Sequence, residues 1–230
     1  MGDVSNRIYS VAVDGPSGAG KSTLAKAVAE ELHILYVDTG AIYRTIGCYA
    51  RQQGVDAHDT QAVIGLLPQV KIEMRYDEQG LQHMLLHGVD VTQEIRLPEM
   101  SLYASAVSAI PEVRAFLLEM QRDFARRSSV IMDGRDIGTV VLPDADVKIF
   151  LQADVEIRAQ RREKELRERG TPRPFDQVLA EMRERDYNDT HRAAAPLRPA
   201  QDAVVVDTSH LDFQQSRDAL LTIIREKVGL

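Results

Sequence analysis

Residues 8–23 read IYSVAVDGPSGAGKST. An apolar, β-branched run ends at Asp14 and passes at once into a glycine-rich loop. The loop closes on Lys-Ser-Thr, where a helical pattern begins. Gly15, Gly20, Lys21 and Ser22 fill the spacing G-x-x-x-x-G-K-[ST] completely, in a strand–loop–helix setting. Glycine lets successive backbone N–H groups curl inward without Cβ clashes, which makes an anion nest. The following helix aims its positive end at the same point. Gly15, Pro16, Ser17, Gly18, Ala19, Gly20, Lys21, Ser22 and Thr23 therefore read as a cradle for a nucleoside triphosphate. Lys21 would reach the terminal phosphates and the Ser22 hydroxyl would ligate Mg²⁺.

Four more apolar runs, at 32–38, 128–133, 146–153 and 203–209, resemble the first in length and β-branching. Helical patterns lie at 21–32, 40–53, 99–127 with a break at Pro111, 154–169, 176–192 and 212–228. Alternation of strand and helix makes a doubly wound α/β P-loop fold the economical reading, with a five-stranded parallel sheet. Asp14, Asp38, Asp133 and Asp207 each stand at or near the end of a run, the edge where ligands of such sheets collect. Asp133 suits a carboxylate at a magnesium site. Between residues 70 and 93 the alternation breaks: VKIEMRY, QHMLLHG and VDVTQ, with turns DEQG and HGVD, predict a small antiparallel β insertion. His83 and His87 are read as surface residues of that insertion rather than as metal ligands.

The chain has 230 residues, 44% of them hydrophobic, enough for a substantial core. No apolar run is long enough to span a membrane. Residues 1–10 lack the layout of a secretion signal, and Asn6 stands where a myristoylation motif needs Ser or Thr. The single cysteine, Cys48, excludes an internal disulfide, fits a reducing cytoplasmic setting and is read as a buried helix residue. A net charge of −7 and the absence of Trp argue against a nucleic-acid partner. The charge is uneven, however. Between Arg158 and Arg198 stand 11 Lys and Arg against 8 Asp and Glu, leaving 17 against 27 elsewhere. A local positive patch on an acidic protein calls for a small polyanion.

Arginines stand where they could serve that second anion. DTGAIYR places Thr39 and Gly40 at a helix start and Arg44 just inside the helix. DGRDIG puts Arg135 and Asp136 directly after Asp133. Val178, Met182, Arg185, Asp189 and Arg192 recur at four-and-three spacing, an apolar helix face that turns charged. RAQRREKELRERGTPRP gathers Arg158, Arg161, Arg162, Arg167, Arg169 and Arg173 around a Gly-Thr-Pro break, as a lid closing over a triphosphate would require. No N-K-x-D guanine motif follows, so a GTPase is excluded. Small-molecule and nucleotide kinases remain, including shikimate-like and UMP kinases, with an idle nucleotide-binding regulator as a rival of another class.

In order and over nearly the whole chain, DGPSGAGKST, DTGAIYR, DGRDIGTVV, PDA, VKIFL, RAQRR and ERDYNDTHRAAAPL resemble the bacterial cytidylate kinases. The resemblance implies transfer of phosphate from ATP to CMP or dCMP; the P-loop serine adds Mg²⁺, and a monomer is expected. The resemblance also implies three regions. The core is 1–38, 128–153 and 203–230. An NMP-binding region spans 39–127, with its β insertion at about 70–97. A short helical lid and the following helix span 154–192, and 193–202 lead to the last strand. By the same resemblance Ser105, Arg114 and Asp136 would contact cytosine, and Arg44, Arg135 and Arg192 the CMP phosphate. Arg185 and Asp189 would hold the sugar, with Thr39 nearby. Arg158 would pack on adenine and Arg162 would meet the phosphates.

Overall fold

The computed structural model describes residues 7–97 and 99–230; the reading of Met1–Asn6 lies outside the described residues. In chain order, β1 (Ser10–Asp14) leads through α1 (Lys21–Leu32) and β2 (Leu35–Asp38) to α2 (Thr39–Gln52) and α3 (Thr60–Leu66). The insertion follows as β3 (Ile72–Tyr76), β4 (Gln82–Leu86) and β5 (Val89–Asp90), then α4 (Met100–Ser108) and α5 (Pro111–Arg127). The chain ends with β6 (Val130–Gly134), β7 (Val147–Gln152), α6 (Val155–Glu168), α7 (Phe175–His191), β8 (Val204–Asp207) and α8 (Phe213–Val228). All five expected core strands and the helix break at Pro111 are present. Sequence reading missed α3, which has only seven residues and is capped by the Asp59 carboxylate accepting from the Ala62 N–H at 3.0 Å. It also missed a π-helical turn at Ile137–Val141.

The core sheet runs β2-β6-β1-β7-β8, all parallel. After β1 the chain first builds one side of the sheet and later the other, so a crevice opens beyond the C-terminal end of β1. The glycine-rich loop occupies that end. Val11 and Val13 of β1, with Ile149 and Leu151, bury against Leu24 and Val28 of α1 and Leu220 and Ile224 of α8. Ala12, Val37 and Met132 face the other way, against Ile137, Val141, Leu118 and Phe124. Both faces are covered, which is why the strands are apolar without alternation.

β3, β4 and β5 form a separate antiparallel sheet. Met84 and Leu86 pack it into one core with Ile42, Ile46, Met100 and Val113 from α2, α4 and α5. His83 is partly exposed and bridges Asp90 at 2.8 Å and Asp77 at 3.3 Å across the hairpin. His87 is exposed at a turn and lies against Tyr49, and no group of three or more His, Cys, Asp or Glu among the described residues could hold a metal. Cys48 is buried in α2, where burial raises its thiol pKa to about 12.

α2 and α4 touch through Gly47, where an added Cβ would lie 2.7 Å from Tyr103 Cβ and 3.3 Å from its carbonyl carbon. This contact sets the distance between the helices that carry Arg44 and Ser105. Gly to Ala inside a helix ordinarily stabilises by about 1 kcal/mol. Gly47→Ala should instead destabilise by roughly 1–3 kcal/mol through overpacking, as measured by urea unfolding; a more stable variant would contradict the close contact.

Candidate active site

The loop after β1 is held by close backbone approach. Gly15 has φ +148°, and a Cβ there would sit 2.0 Å from the Leu151 carbonyl oxygen of β7. Gly20 stands in the left-handed region as the N-cap of α1, and no side chain among the described residues caps that terminus. The free N–H groups of α1 therefore point into the crevice. Pro16 and Ser17 are half-buried, Ala19 is buried, and Gly18, Ser22 and Thr23 are exposed. Lys21 is 5% exposed and donates from Nζ to the Pro16 carbonyl at 2.7 Å. Burial first, then Arg135, depresses its pKa well below the ordinary lysine range, against the pull of Asp133. An arriving polyphosphate would relieve that cost.

Asp133 ends beside this loop. Its carboxylate accepts from Ser22 Oγ at 2.7 Å and from Tyr36 Oη at 2.8 Å, and its carbonyl accepts from Thr39 Oγ1 at 2.7 Å. Burial and the nearby Asp38 raise its pKa, while Lys21, Ser22 and Tyr36 oppose them. One carboxylate and one hydroxyl are hard oxygen donors. They fit Mg²⁺, which keeps several waters and takes its remaining ligands from substrate phosphates.

Across the crevice, arginines arrive from α2, from the turn after β6 and from α7. Arg44 of α2 donates to Asp38 at 2.7 Å, and the same carboxylate caps α2 through the Ala41 N–H at 2.9 Å. Arg135, just beyond β6, donates from Nε to Asp189 of α7 at 2.7 Å. Burial alone would raise Asp189, but Arg135, Arg185 and Arg192 outweigh it and hold its carboxyl below the usual range. Arg185 is lowered to about 10 by burial, with Arg135, Arg44 and Arg162 acting the same way against Asp189. At neutral pH it still carries its proton. Among the described residues, Arg44 Nε, Arg185 Nε and one terminal nitrogen of Arg192 are buried without a hydrogen-bond partner. A buried, unmatched guanidinium donor is expensive, so this concentration marks a place for an anion.

Beside them Asp136 pairs with Arg114, and that same Arg192 nitrogen, beyond hydrogen-bond reach, stands 3.6 Å from its other oxygen. The Arg114 guanidinium lies 5.5 Å from the Tyr43 ring centre. Its Nη1 donates to the Ser108 carbonyl at 3.1 Å, while Ser108 Oγ donates to the Ser105 carbonyl at 3.0 Å. Ser105 is half-buried one turn earlier on α4. A cavity of about 250 Å³ flanks this pair, with Tyr43, Gln121, Ala194 and Ala195 in its walls.

Known sequences match this chain closely. The profile described as cytidylate kinase matches residues 11–226. The chain belongs to the cytidylate kinase family. A cytidylate kinase of Caldicellulosiruptor saccharolyticus is 44% identical over 219 residues, covering 95% of this chain and 96% of that one. One of Solibacter usitatus is 46% identical over 230 residues, covering 99% and 97%. The solved structure of an uncharacterised protein from Eubacterium ventriosum shares the fold at TM-score 0.51 and 13% identity, over 96% of this chain and 99% of that one.

In this member of the cytidylate kinase family, the arginine-rich segment divides by surroundings. Arg162, paired with Glu165 at 2.7 Å, is close enough to Arg185 to lower its pKa. Arg161 is tied to the Thr208 carbonyl at 2.5 Å. Arg167, Arg169 and Arg173 pair with Glu163, Glu165 and Glu181 on the solvated surface. Arg158 is 4% exposed and donates to the Ala153 carbonyl at 2.8 Å, the Ser17 carbonyl at 3.0 Å and both oxygens of Asp186. It anchors the phosphate loop by its backbone. Thr39 is likewise committed to the Asp133 carbonyl and is 3% exposed. Sequence reasoning missed Asp186, Ser108, Tyr36 and the Asp38–Arg44 pairing. Only Asp38 carried a signal, as a carboxylate at a strand end. Asp186→Ala should leave the Arg158 guanidinium buried and half-matched. We expect a loss of about 1–3 kcal/mol in urea unfolding, less than for a fully buried pair because Asp186 is 25% exposed; no measurable loss would contradict the anchoring role.

Proposed function

We propose that the protein transfers the terminal phosphoryl group of ATP to CMP or dCMP, yielding ADP and CDP or dCDP. The observation that carries this reading is the group of incompletely partnered guanidinium groups of Arg44, Arg185 and Arg192, of which Arg185 is close enough to act on Lys21. In the assignment, the loop from Gly15 to Thr23 holds the ATP phosphates with Lys21. Arg44, Arg135 and Arg192 hold the CMP phosphate, Arg185 and Asp189 the sugar side, and Arg162 the phosphates in transfer. Arg158 keeps the loop in shape. Ser22 and Asp133 would hold Mg²⁺, which when bound supplies positive charge between the phosphates.

The acceptor is a phosphate oxygen, largely ionised at neutral pH because its second pKa is about 6. No general base is required. The obstacle is repulsion between two polyanions, and fixed positive groups lower it while aligning attacking and leaving oxygens. Nitrogens already buried and oriented need little reorganisation as charge shifts toward the leaving oxygen. Cytosine offers an amine to the Asp136 carboxylate and a carbonyl to Arg114, with Ser105 beside them; uracil would set a carbonyl against the carboxylate. The net charge of −7 speaks against a nucleic-acid partner, the single cysteine suits the cytoplasm, and no helix among the described residues is long and apolar enough to cross a membrane; the protein is taken to act as a monomer.

A coupled assay of ADP release with ATP, Mg²⁺ and a panel of CMP, dCMP, UMP and shikimate tests the proposal. We expect turnover with CMP and dCMP at least about tenfold above UMP, the discrimination of one mismatched polar contact, and none with shikimate. Asp136→Asn should lower kcat/KM for CMP more than for UMP. Equal losses would remove Asp136 as the base reader, and a preference for another acceptor would overturn the assignment.

A further inference from the structure

β2, one of the two edge strands of the core sheet, has a neighbouring strand only on its β6 side among the described residues. Such an edge leaves the N–H and C=O groups of alternate residues unpaired. Here those groups belong to Tyr36 and Asp38, and two side chains of the insertion meet them. Tyr76 Oη donates to the Tyr36 carbonyl at 2.8 Å. Gln82 Oε1 accepts from the Asp38 N–H at 2.8 Å, and Gln82 Nε2 donates to the Asp38 carbonyl at 3.2 Å. One side-chain amide thus makes the reciprocal pair of bonds that a facing strand residue would make. Tyr76 and Gln82 are direct partners in the β3–β4 ladder, so they reach out from one face, side by side.

The two residues they grip are those whose side chains run into the active site. Tyr36 orients Asp133 beside Ser22. Asp38 orients Arg44 and caps the helix on which Arg44 stands. Rotation of the Asp38 peptide would swing its carboxylate away from both the cap and the guanidinium. Simple shielding of a sheet edge would be served by any charged or bulky residue; it does not call for both bonds on the one residue that steers Arg44.

We propose that the β insertion acts on the acceptor site through Gln82, a positioning residue that fixes Asp38 and thereby Arg44, with Tyr76 steadying the adjoining peptide. This rests on the assignment of Arg44 to the CMP phosphate. The insertion is then a buttress of the monophosphate pocket.

The test compares Gln82→Met, which keeps length and volume, with Gln82→Glu, which keeps the acceptor but replaces the donor. Arg44→Met and the Gln82→Met/Arg44→Met double variant complete the set, with KM for CMP, KM for ATP, kcat and Tm measured for each. Loss of one or two neutral hydrogen bonds should raise KM for CMP about three- to tenfold in both Gln82 variants, with KM for ATP and kcat within about twofold. On the Arg44→Met background, Gln82→Met should add less than about twofold, because its effect passes through Arg44. Should Gln82 variants leave KM for CMP unchanged, or raise both KM values equally alongside a fall in Tm, the positioning role is overturned while the phosphate assignment stands. Full additivity in the double variant overturns it as well. An Arg44→Met variant with unchanged KM for CMP would overturn the phosphate assignment and this inference with it.

Discussion

Like charges must be held together before any ligand arrives. Arg44, Arg135, Arg162 and Arg185 are close enough that their mutual repulsion helps depress Arg185, and Arg135 also acts on Lys21. In a partly desolvated crevice such crowding is unfavourable unless each charge is pinned. The pins are carboxylates: Asp38 on Arg44, Asp189 on Arg135, Asp136 on Arg114 and Asp186 on Arg158. Arg44 keeps a buried nitrogen without a hydrogen-bond partner and Arg114 lines the cavity, whereas Arg158 is fully engaged, so the set is held together without ligand yet short of negative charge.

That balance explains the layout of the fold. Asp38 and Asp133 are register partners at the ends of β2 and β6. Asp136 follows on the turn after β6, and Asp189 comes from α7, whose buried Val178 and Met182 pack it against α6. The sheet therefore supplies rigid carboxylate positions at its C-terminal edge, and helices bring the arginines to them. The insertion, far from the triphosphate loop in sequence, joins this arrangement through the backbone of Asp38.

The phosphate loop was legible because its meaning is local: glycine spacing, a strand before and a helix after. The α7 face was legible because helical period alone aligns Val178, Met182, Arg185 and Asp189. Pairings were not legible. Arg158 meets Asp186, and Arg114 meets Asp136, only after separate elements have packed, and no spacing rule encodes that. The arginine-rich segment looked uniform in sequence, whereas packing buries Arg158, ties Arg161 to the β8 edge and leaves Arg167, Arg169 and Arg173 among glutamates. α3 escaped because seven residues give too little periodicity to read.

In a crystal structure of the protein with CMP bound, the CMP phosphate should lie within hydrogen-bond distance of Arg44 and Arg192, with the Arg44 Nε and Arg192 nitrogen that now lack hydrogen-bond partners turned onto its oxygens. A phosphate lodged elsewhere, with those nitrogens still unmatched, would contradict the assignment of Arg44 and Arg192.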